Sequence, residues 1–334
     1  MSGRLRLRLI ACALLAAAAA PALGQTRPLG ANLERFAYPF PVRWYAASSQ
    51  GQAVRMAYMD VPPSAAPKGV TVVLLHGKNF CGATWGDTAR ALAAQGYRVI
   101  VPDQIGFCKS SKPAGYQYSL QALAALTRGL LQQANAGQVV MVGHSTGGML
   151  AIRYALSYPQ DLRRLVLVDP LGLNDTLAQG APYTDLGELQ REEDRTTAAT
   201  IKAYQLKNYY HGQWRPAYDR WVQMLAGEYA GDGGVVREAQ ARLSDMIQTQ
   251  PVAAELGRVR TPVSLIVGEL DRTAFRADKA PPELRDQVQT VPQAAEAAVR
   301  RFPDARLVRL PGLGHAPQVE DPAAFQKALL AELP

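Results

Sequence analysis

The chain has 334 residues, 48% of them apolar, enough to bury one large core or a core with an inserted subdomain. Its formal charge of +8 is mild for that length, and the basic residues form neither a block nor a zinc-finger spacing, so nucleic acid is not an expected partner. Three cysteines exclude a disulfide-dense scaffold.

Read from the first residue, Arg4, Arg6 and Arg8 precede an uncharged apolar run from Leu9 to Ala20, with small residues at Ala22 and Gly24. This is the pattern of a secretory signal peptide, residues 1–24, cleaved before Gln25. The run is short for a spanning helix, and no later run is long enough for one. The expected location is therefore the periplasm or beyond, and Cys12 goes with the peptide. Residues 25–33 carry turn formers without periodicity and read as a loose leader. Val42 to Ser48 and Gln52 to Val61 read as two strands around Gln50-Gly51, a hairpin signal. From Val70 to Leu75 the sequence is a continuous apolar, β-branched run ended by His76-Gly77. Similar runs recur at Arg98 to Val101, Gln138 to Val142, Leu165 to Val168, Val263 to Val267 and Arg306 to Leu310. Strands covered on both faces have this composition.

Helical patterns lie between the runs, at Thr84 to Gln95, Leu120 to Ala134, Gly147 to Ser157, Pro292 to Phe302 and Ala323 to Leu333. The alternation predicts an α/β fold with a doubly wound, mostly parallel sheet, opened by the antiparallel hairpin. It breaks between about Gly172 and Gly257, where helical patterns such as Thr196 to Tyr210 and Ala217 to Tyr229 replace strands. A helical cap over residues 172–257 is expected, inserted into a core made of residues 25–171 and 258–334. The cap is rich in aromatics: Tyr204, Tyr209, Tyr210, Trp214, Tyr218, Trp221 and Tyr229. Most should form its own core, and some should face a cavity.

The sharpest motif is Gly143-His144-Ser145-Thr146-Gly147, placed between an apolar strand and a helix. Alone, a Gly-x-Ser-x-Gly is weak; at a strand-to-helix turn it is strong. The turn is tight enough to strain the central backbone, and neighbours two positions away must be glycine. The strain lifts the serine hydroxyl clear of the sheet, and the helix start behind it offers free N–H groups. A serine hydroxyl needs a base. Of the four histidines, His144 adjoins the serine on the sharp turn, His76 ends a strand and His211 lies in the cap. His315, in Leu313-Gly314-His315-Ala316-Pro317 just beyond a strand, is the expected base. The acid that would orient it is Asp271, in Gly268-Glu269-Leu270-Asp271-Arg272; Glu269 is the nearer rival and Asp169 the more distant one.

On these residues the chain resembles the α/β-hydrolases over roughly residues 36–333. The matching pieces are Leu74-Leu75-His76-Gly77, Pro102-Asp103-Gln104-Ile105-Gly106 with Ser110 after it, the elbow through Gly148, Gly268 to Asp271, and Gly314-His315. The elbow resembles those of carboxylesterases and cofactor-free perhydrolases. The resemblance implies an oxyanion hole from the backbone N–H groups of Lys78 and Thr146, a helical cap where one is placed above, and no metal or organic cofactor. Cys108 departs from it, standing where the family often has a further glycine. The loops after the strands ending at Leu75 and Val101 leave the same sheet edge, which with an exported chain predicts a Cys81–Cys108 disulfide.

The expected chemistry is hydrolysis of a small-molecule carboxylic ester through an acyl-enzyme on Ser145. Serine at the elbow excludes the relatives that use a carboxylate there, the epoxide hydrolases and haloalkane dehalogenases. A second reading is an aminopeptidase resembling proline iminopeptidases, with Glu192, Glu193 and Asp194 available to hold an amino group. A third is carbon–carbon or lactone hydrolysis. A catalytically silent binding protein on the same fold is a different class, and a full triad argues against it.

Overall fold

A computed structural model describes residues 26–231 and 234–334, so the signal-peptide expectation lies outside the described residues. Eight strands form one sheet: β1 (Val42–Ser49), β2 (Gln52–Val61), β3 (Thr71–Leu75), β4 (Arg98–Pro102), β5 (Val139–His144), β6 (Leu162–Val168), β7 (Val263–Gly268) and β8 (Ala305–Leu310). Their spatial order is β1-β2-β4-β3-β5-β6-β7-β8. The β1–β2 and β2–β4 pairs are antiparallel and every later pair is parallel. This is the doubly wound, mostly parallel sheet that the alternation predicts.

Side chains of the central strands are buried throughout, as sheets clad on both faces require. Val72 and Leu74 enter a cluster with Trp85 and Leu92 beside helix α1 (Gly86–Ala94) and with Phe325 and Leu329. Val73 and Leu75 turn the other way, into a cluster with Leu123 and Leu130 of α2 (Leu120–Gln133) and Leu150 of α3 (Thr146–Ser157). The period of two along β3 thus fixes which helix covers which face.

Four helices, α4 (Leu186–Asp194), α5 (Ala198–Asn208), α6 (Asp219–Ala230) and α7 (Val235–Thr249), are inserted between β6 and β7. They have no separate apolar nucleus. Met224, Leu243, Met246 and Tyr210 belong to the same buried cluster as Val73 and Met141 of the sheet. Tyr210 stacks on Tyr218 with ring centroids 3.9 Å apart, and Trp214 meets both rings edge-on. After β7 come α8 (Val291–Ala298), the short α9 (Pro317–Glu320) and α10 (Pro322–Ala331).

Three local differences have physical reasons. Residues 26–33 are not a loose leader: the Leu29 N–H donates to Gly227 O at 2.7 Å, Leu29 packs on the bare α6 surface at Gly227, and Leu33 is buried. The β6 strand begins at Leu162, because Arg163 and Arg164 sit on its half-wet start, where Arg164 donates to Ser264 Oγ of β7. The last predicted helix before β8 tightens into a 3₁₀ turn at Val299–Arg301 instead of running on to Phe302.

Two fastenings tie the loops at the carboxyl edge. Cys81 and Cys108, 27 residues apart, are joined in a disulfide. Asp103 accepts hydrogen bonds from the Gly82 and Lys109 N–H groups and from the Tyr38 hydroxyl, so one buried carboxylate pins both loops that the disulfide joins. Lys112 is fully buried, 3.1 Å from Glu228 of α6, and donates to Cys108 O at 2.6 Å. That pair carries the brace from the core into the inserted helices.

Candidate active site

The residues singled out at the ends of β5, β7 and β8 meet at one sheet edge. Ser145 has φ 54° and ψ −120°, the strained conformation that the motif requires. A Cβ on Gly143 would stand 2.3 Å from Gly147 O, and one on Gly147 would stand 2.6 Å from Leu75 O, so the turn closes only with hydrogen at both positions. His315 Nε2 lies 3.0 Å from Ser145 Oγ, and His315 Nδ1 lies 2.7 Å from Asp271 Oδ2. Asp271 Oδ1 also accepts the Thr273 N–H at 2.7 Å, which fixes the carboxylate plane. All three side chains are buried, with Ser145 3% exposed.

Of the three carboxylates weighed above, Asp271 is the one hydrogen-bonded to His315. Glu269 is exposed and its backbone N–H pairs with Leu310 O, away from the imidazole. Asp169, at the end of β6, is buried close behind: its carboxyl, that of Asp271 and the His315 ring bring polar atoms within 4.8 Å of one another. Such a trio has the composition of a metal site, but Asp271 and His315 already engage each other. Asp169 Oδ1 accepts the Gly268 N–H at 2.9 Å, while Oδ2 has no partner. Burial, reinforced by the negative charge of Asp271, pushes the Asp169 carboxyl well above the ordinary range. The neutral form of Asp169 is therefore favoured behind Asp271.

The other histidines have structural roles. His76 Nδ1 donates to Gly77 O and its Nε2 accepts the Gln104 N–H, which demands the neutral ring that burial favours. His144 Nε2 donates to His315 O at 2.7 Å, holding the main chain of the residue whose ring meets Ser145. Burial, with the nearby His315 ring, keeps His144 neutral. A Cβ on Gly77 would lie 2.9 Å from Ser145 Cβ, so the backbone leading into Lys78 passes directly beside the serine. Among the described residues, no carbonyl takes the N–H of Lys78 or of Thr146, the first residue of α3.

Several contributors were invisible in the sequence. Tyr209 from the inserted helices lies over His315, ring centroids 4.6 Å apart, and its carbonyl accepts the His315 N–H at 2.9 Å. That approach needs Gly314, where a Cβ would fall 1.9 Å from Tyr209 O. Asn79 donates to the Tyr209 hydroxyl at 2.8 Å. Lys78 Nζ pairs with Glu193 Oε1 at 2.8 Å, and Tyr229 donates to Glu193 Oε2 at 2.6 Å. Glu320 accepts the Gly314 N–H at 2.8 Å and lies 3.2 Å from His211 Nε2. The inserted helices thus grip both loops that flank Ser145. The pairs that join the insertion to these loops, Tyr209 with His315, Asn79 with Tyr209 and Lys78 with Glu193, carry no spacing signal, because each is more than a hundred residues apart.

A cavity of about 350 Å³ lies on the far side of Lys78 and Asn79; Ser145, Asp271 and His315 are not among its lining residues. Lys78, Asn79, Phe107 and Cys108 supply its core wall, and Thr200, Ile201, Tyr204, Gln205, Leu225, Tyr229, Gln240 and Ser244 its roof. Of the seven aromatics named above, Tyr204 and Tyr229 line it, Tyr209 lies over His315, Tyr210, Trp214 and Tyr218 pack on one another, and Trp221 meets Phe36.

The model of the alpha/beta hydrolase fold matches residues 70–322, and the chain belongs to that family. A solved structure described as a probable hydrolytic enzyme, from Pseudomonas aeruginosa PAO1, is 49% identical, with a TM-score of 0.91 over 93% of this chain and 100% of that one. Lipase 1 of Psychrobacter immobilis is 25% identical over 75% of this chain and 73% of its own length. The 2-hydroxy-6-oxo-2,4-heptadienoate hydrolase of Pseudomonas putida is 33% identical over 34% of this chain; the match spans 41% of that protein, well under half. The chain is an α/β-hydrolase, and the three relatives named above are described as a hydrolytic enzyme, a lipase and a hydrolase.

Two expectations follow from the buried carboxyls. Asp169→Asn keeps a neutral donor behind Asp271 and should leave p-nitrophenyl ester turnover within about tenfold of the parent, whereas Asp271→Asn should lower it by about 10⁴. Equal damage from both changes would contradict the assignment. Burial pushes the Glu320 carboxyl up to about 7 from its ordinary 4.5. The folded protein therefore holds the extra proton between about pH 4.5 and pH 7, and the stability that this group contributes falls as pH rises through that window. Tm measured from about pH 5 to about pH 8 should fall less in Glu320→Gln than in the parent. An identical fall would place the titration elsewhere.

Proposed function

We propose that the chain is a serine hydrolase that cleaves a carboxylic ester through an acyl-enzyme on Ser145. The observation that carries this reading is the single imidazole standing at hydrogen-bond distance from both a strained serine hydroxyl and a buried carboxylate. His315 Nε2 takes the Ser145 proton as Oγ attacks the ester carbonyl. The Lys78 and Thr146 N–H groups receive the oxyanion, and the start of α3 adds its positive end. The tetrahedral intermediate collapses, the leaving alkoxide takes the proton from His315, and water deprotonated by the same nitrogen releases the acid. Asp271 keeps Nδ1–H turned toward itself and stabilises the imidazolium. Burial and the charge of Asp271 favour the neutral form of Asp169 behind it, which limits the negative charge in the site.

The charge balance of the cavity favours an ester over an amino-terminal peptide. An amine-binding pocket needs free carboxylate, yet Glu193 is paired with Lys78, and Glu192 is paired with Arg276 and Lys279. Asp194 is exposed, bonded to Gln190, and is not among the cavity's lining residues. The name of Lipase 1 supports the ester reading, and that of the heptadienoate hydrolase keeps carbon–carbon cleavage as the second reading, since both reactions use the same serine and oxyanion donors. Export rests on Arg4, Arg6, Arg8 and the apolar run after them, together with the Cys81–Cys108 bond. Among the described residues no helix is long and apolar enough to cross a membrane.

The test pairs a fluorophosphonate probe with p-nitrophenyl esters and proline p-nitroanilide. The probe should label the parent and not Ser145→Ala, and the esters alone should turn over. Labelling that survives in Ser145→Ala, or faster turnover of the anilide, would contradict the proposal.

A further inference from the structure

Gln205 is the one buried residue of α5, fully shielded from solvent, and it lines the cavity beside Ile201 and Tyr204. Neither its amide nitrogen nor its amide oxygen has a hydrogen-bond partner. A primary amide out of water without partners is costly, by about 1–3 kcal/mol for each unsatisfied group. An apolar residue of the same size would have served packing better. The backbone carbonyl of Gln205 is already used, accepting from the Tyr209 and Tyr210 N–H groups, so the helix end does not need the side chain.

The charges around the cavity narrow what the amide is there to meet. Each carboxylate in the wall has a cation: Glu193 has Lys78, Glu192 has Arg276 and Lys279, and Glu228 has Lys112. Arg195 stands at the exposed rim. The charges of the wall are therefore locally compensated, and between apolar side chains such as Phe107, Ile201 and Leu225 Gln205 offers a donor and an acceptor on one planar group. Ser244, mostly buried, adds a hydroxyl to the lining, while Gln240 is committed to Gly106 O at 3.1 Å. A neutral planar group with its own adjacent donor and acceptor complements this, and a secondary amide fits best. An anion would meet Glu193 and Glu228, and a cation would displace Lys78 or Lys112.

We propose that Gln205 is a specificity-determining residue, and that the cavity takes an acyl chain carrying a neutral secondary amide. This rests on the ester reading above and deepens it. The amide of the ligand donates to Gln205 Oε1 and accepts from Nε2, and these bonds remove the unpaired burial of the empty site. An all-carbon chain of the same length leaves both atoms unsatisfied, and discrimination comes from that difference.

The test is a ladder of p-nitrophenyl esters of N-acetylated ω-amino acids, from glycine to aminohexanoate, each beside the all-methylene ester of equal length. In the parent protein at least one amide ester should exceed its methylene counterpart in kcat/KM, and this preference should fall at least about tenfold in Gln205→Leu and Gln205→Met. Comparing parent and variant on each pair cancels the intrinsic reactivity of the esters. Both variants should also melt above the parent without ligand, by about 2 °C or more, because they remove an unsatisfied buried amide. A residue that merely supports the fold would lower the melting point. The proposal is overturned if no amide ester is preferred, if the preference survives in both variants, or if both variants are destabilised, as an amide satisfied by ordered water alone would give. Turnover of esters without amide preference removes only this proposal; no turnover and no labelling of Ser145 removes the ester reading with it.

Discussion

An imidazole suspended between a hydroxyl and a carboxylate, with all three out of water, is the contact around which the rest of the molecule is arranged. Its 3.0 Å and 2.7 Å separations join residues 145, 271 and 315, which local structure alone cannot bring together. Parallel β5, β7 and β8 all deliver their carboxyl ends to the same edge, so the sheet order does the gathering. The elbow raises the serine, the turn after β7 presents the Asp271 carboxylate, and the loop after β8 returns the ring. Within that arrangement His144 has a second use of the same turn, because the residue before Ser145 fastens the main chain of His315.

The inserted helices are more than a cover. Tyr209 holds the His315 backbone, Glu193 holds Lys78, and Glu228 holds Lys112. Each contact joins an inserted helix to a loop beside the serine, and their apolar side chains continue the core under the sheet's edge. Buried ion pairs of this kind add little net stability, because desolvation offsets attraction, but they penalise misplacement when a partner is missing. Their effect here is to set position: the roof can sit in one register on the core.

The fold was largely legible because buried parallel strands have an unmistakable composition, as in the Val70 to Leu75 run ended by His76-Gly77. The elbow was legible because steric necessity writes glycine into the sequence at Gly143 and Gly147. His315 and Asp271 followed from strand ends and from chain order. What escaped were pairings across distance. Nothing in Glu193 says Lys78, and nothing in Tyr209 says His315. Asp169 looked like a rival to Asp271 and stands behind it instead, because adjacent parallel strands place their first loop residues side by side. The bound leader at residues 26–33 was missed for a related reason: its anchor, Gly227, lies some two hundred residues away, in a helix whose bare surface leaves no periodic trace.

The central claim is that Ser145 and His315 act as one unit. Steady-state kcat on a single p-nitrophenyl ester, measured for Ser145→Ala, His315→Ala and the double variant, tests it directly. Residues that function together lose nearly everything with the first change, so the double variant should be no slower than the slower single one, each several orders of magnitude below the parent. Losses that multiply in the double variant would mean that the two side chains contribute independently, and the shared hydrogen bond would not be the engine of the reaction.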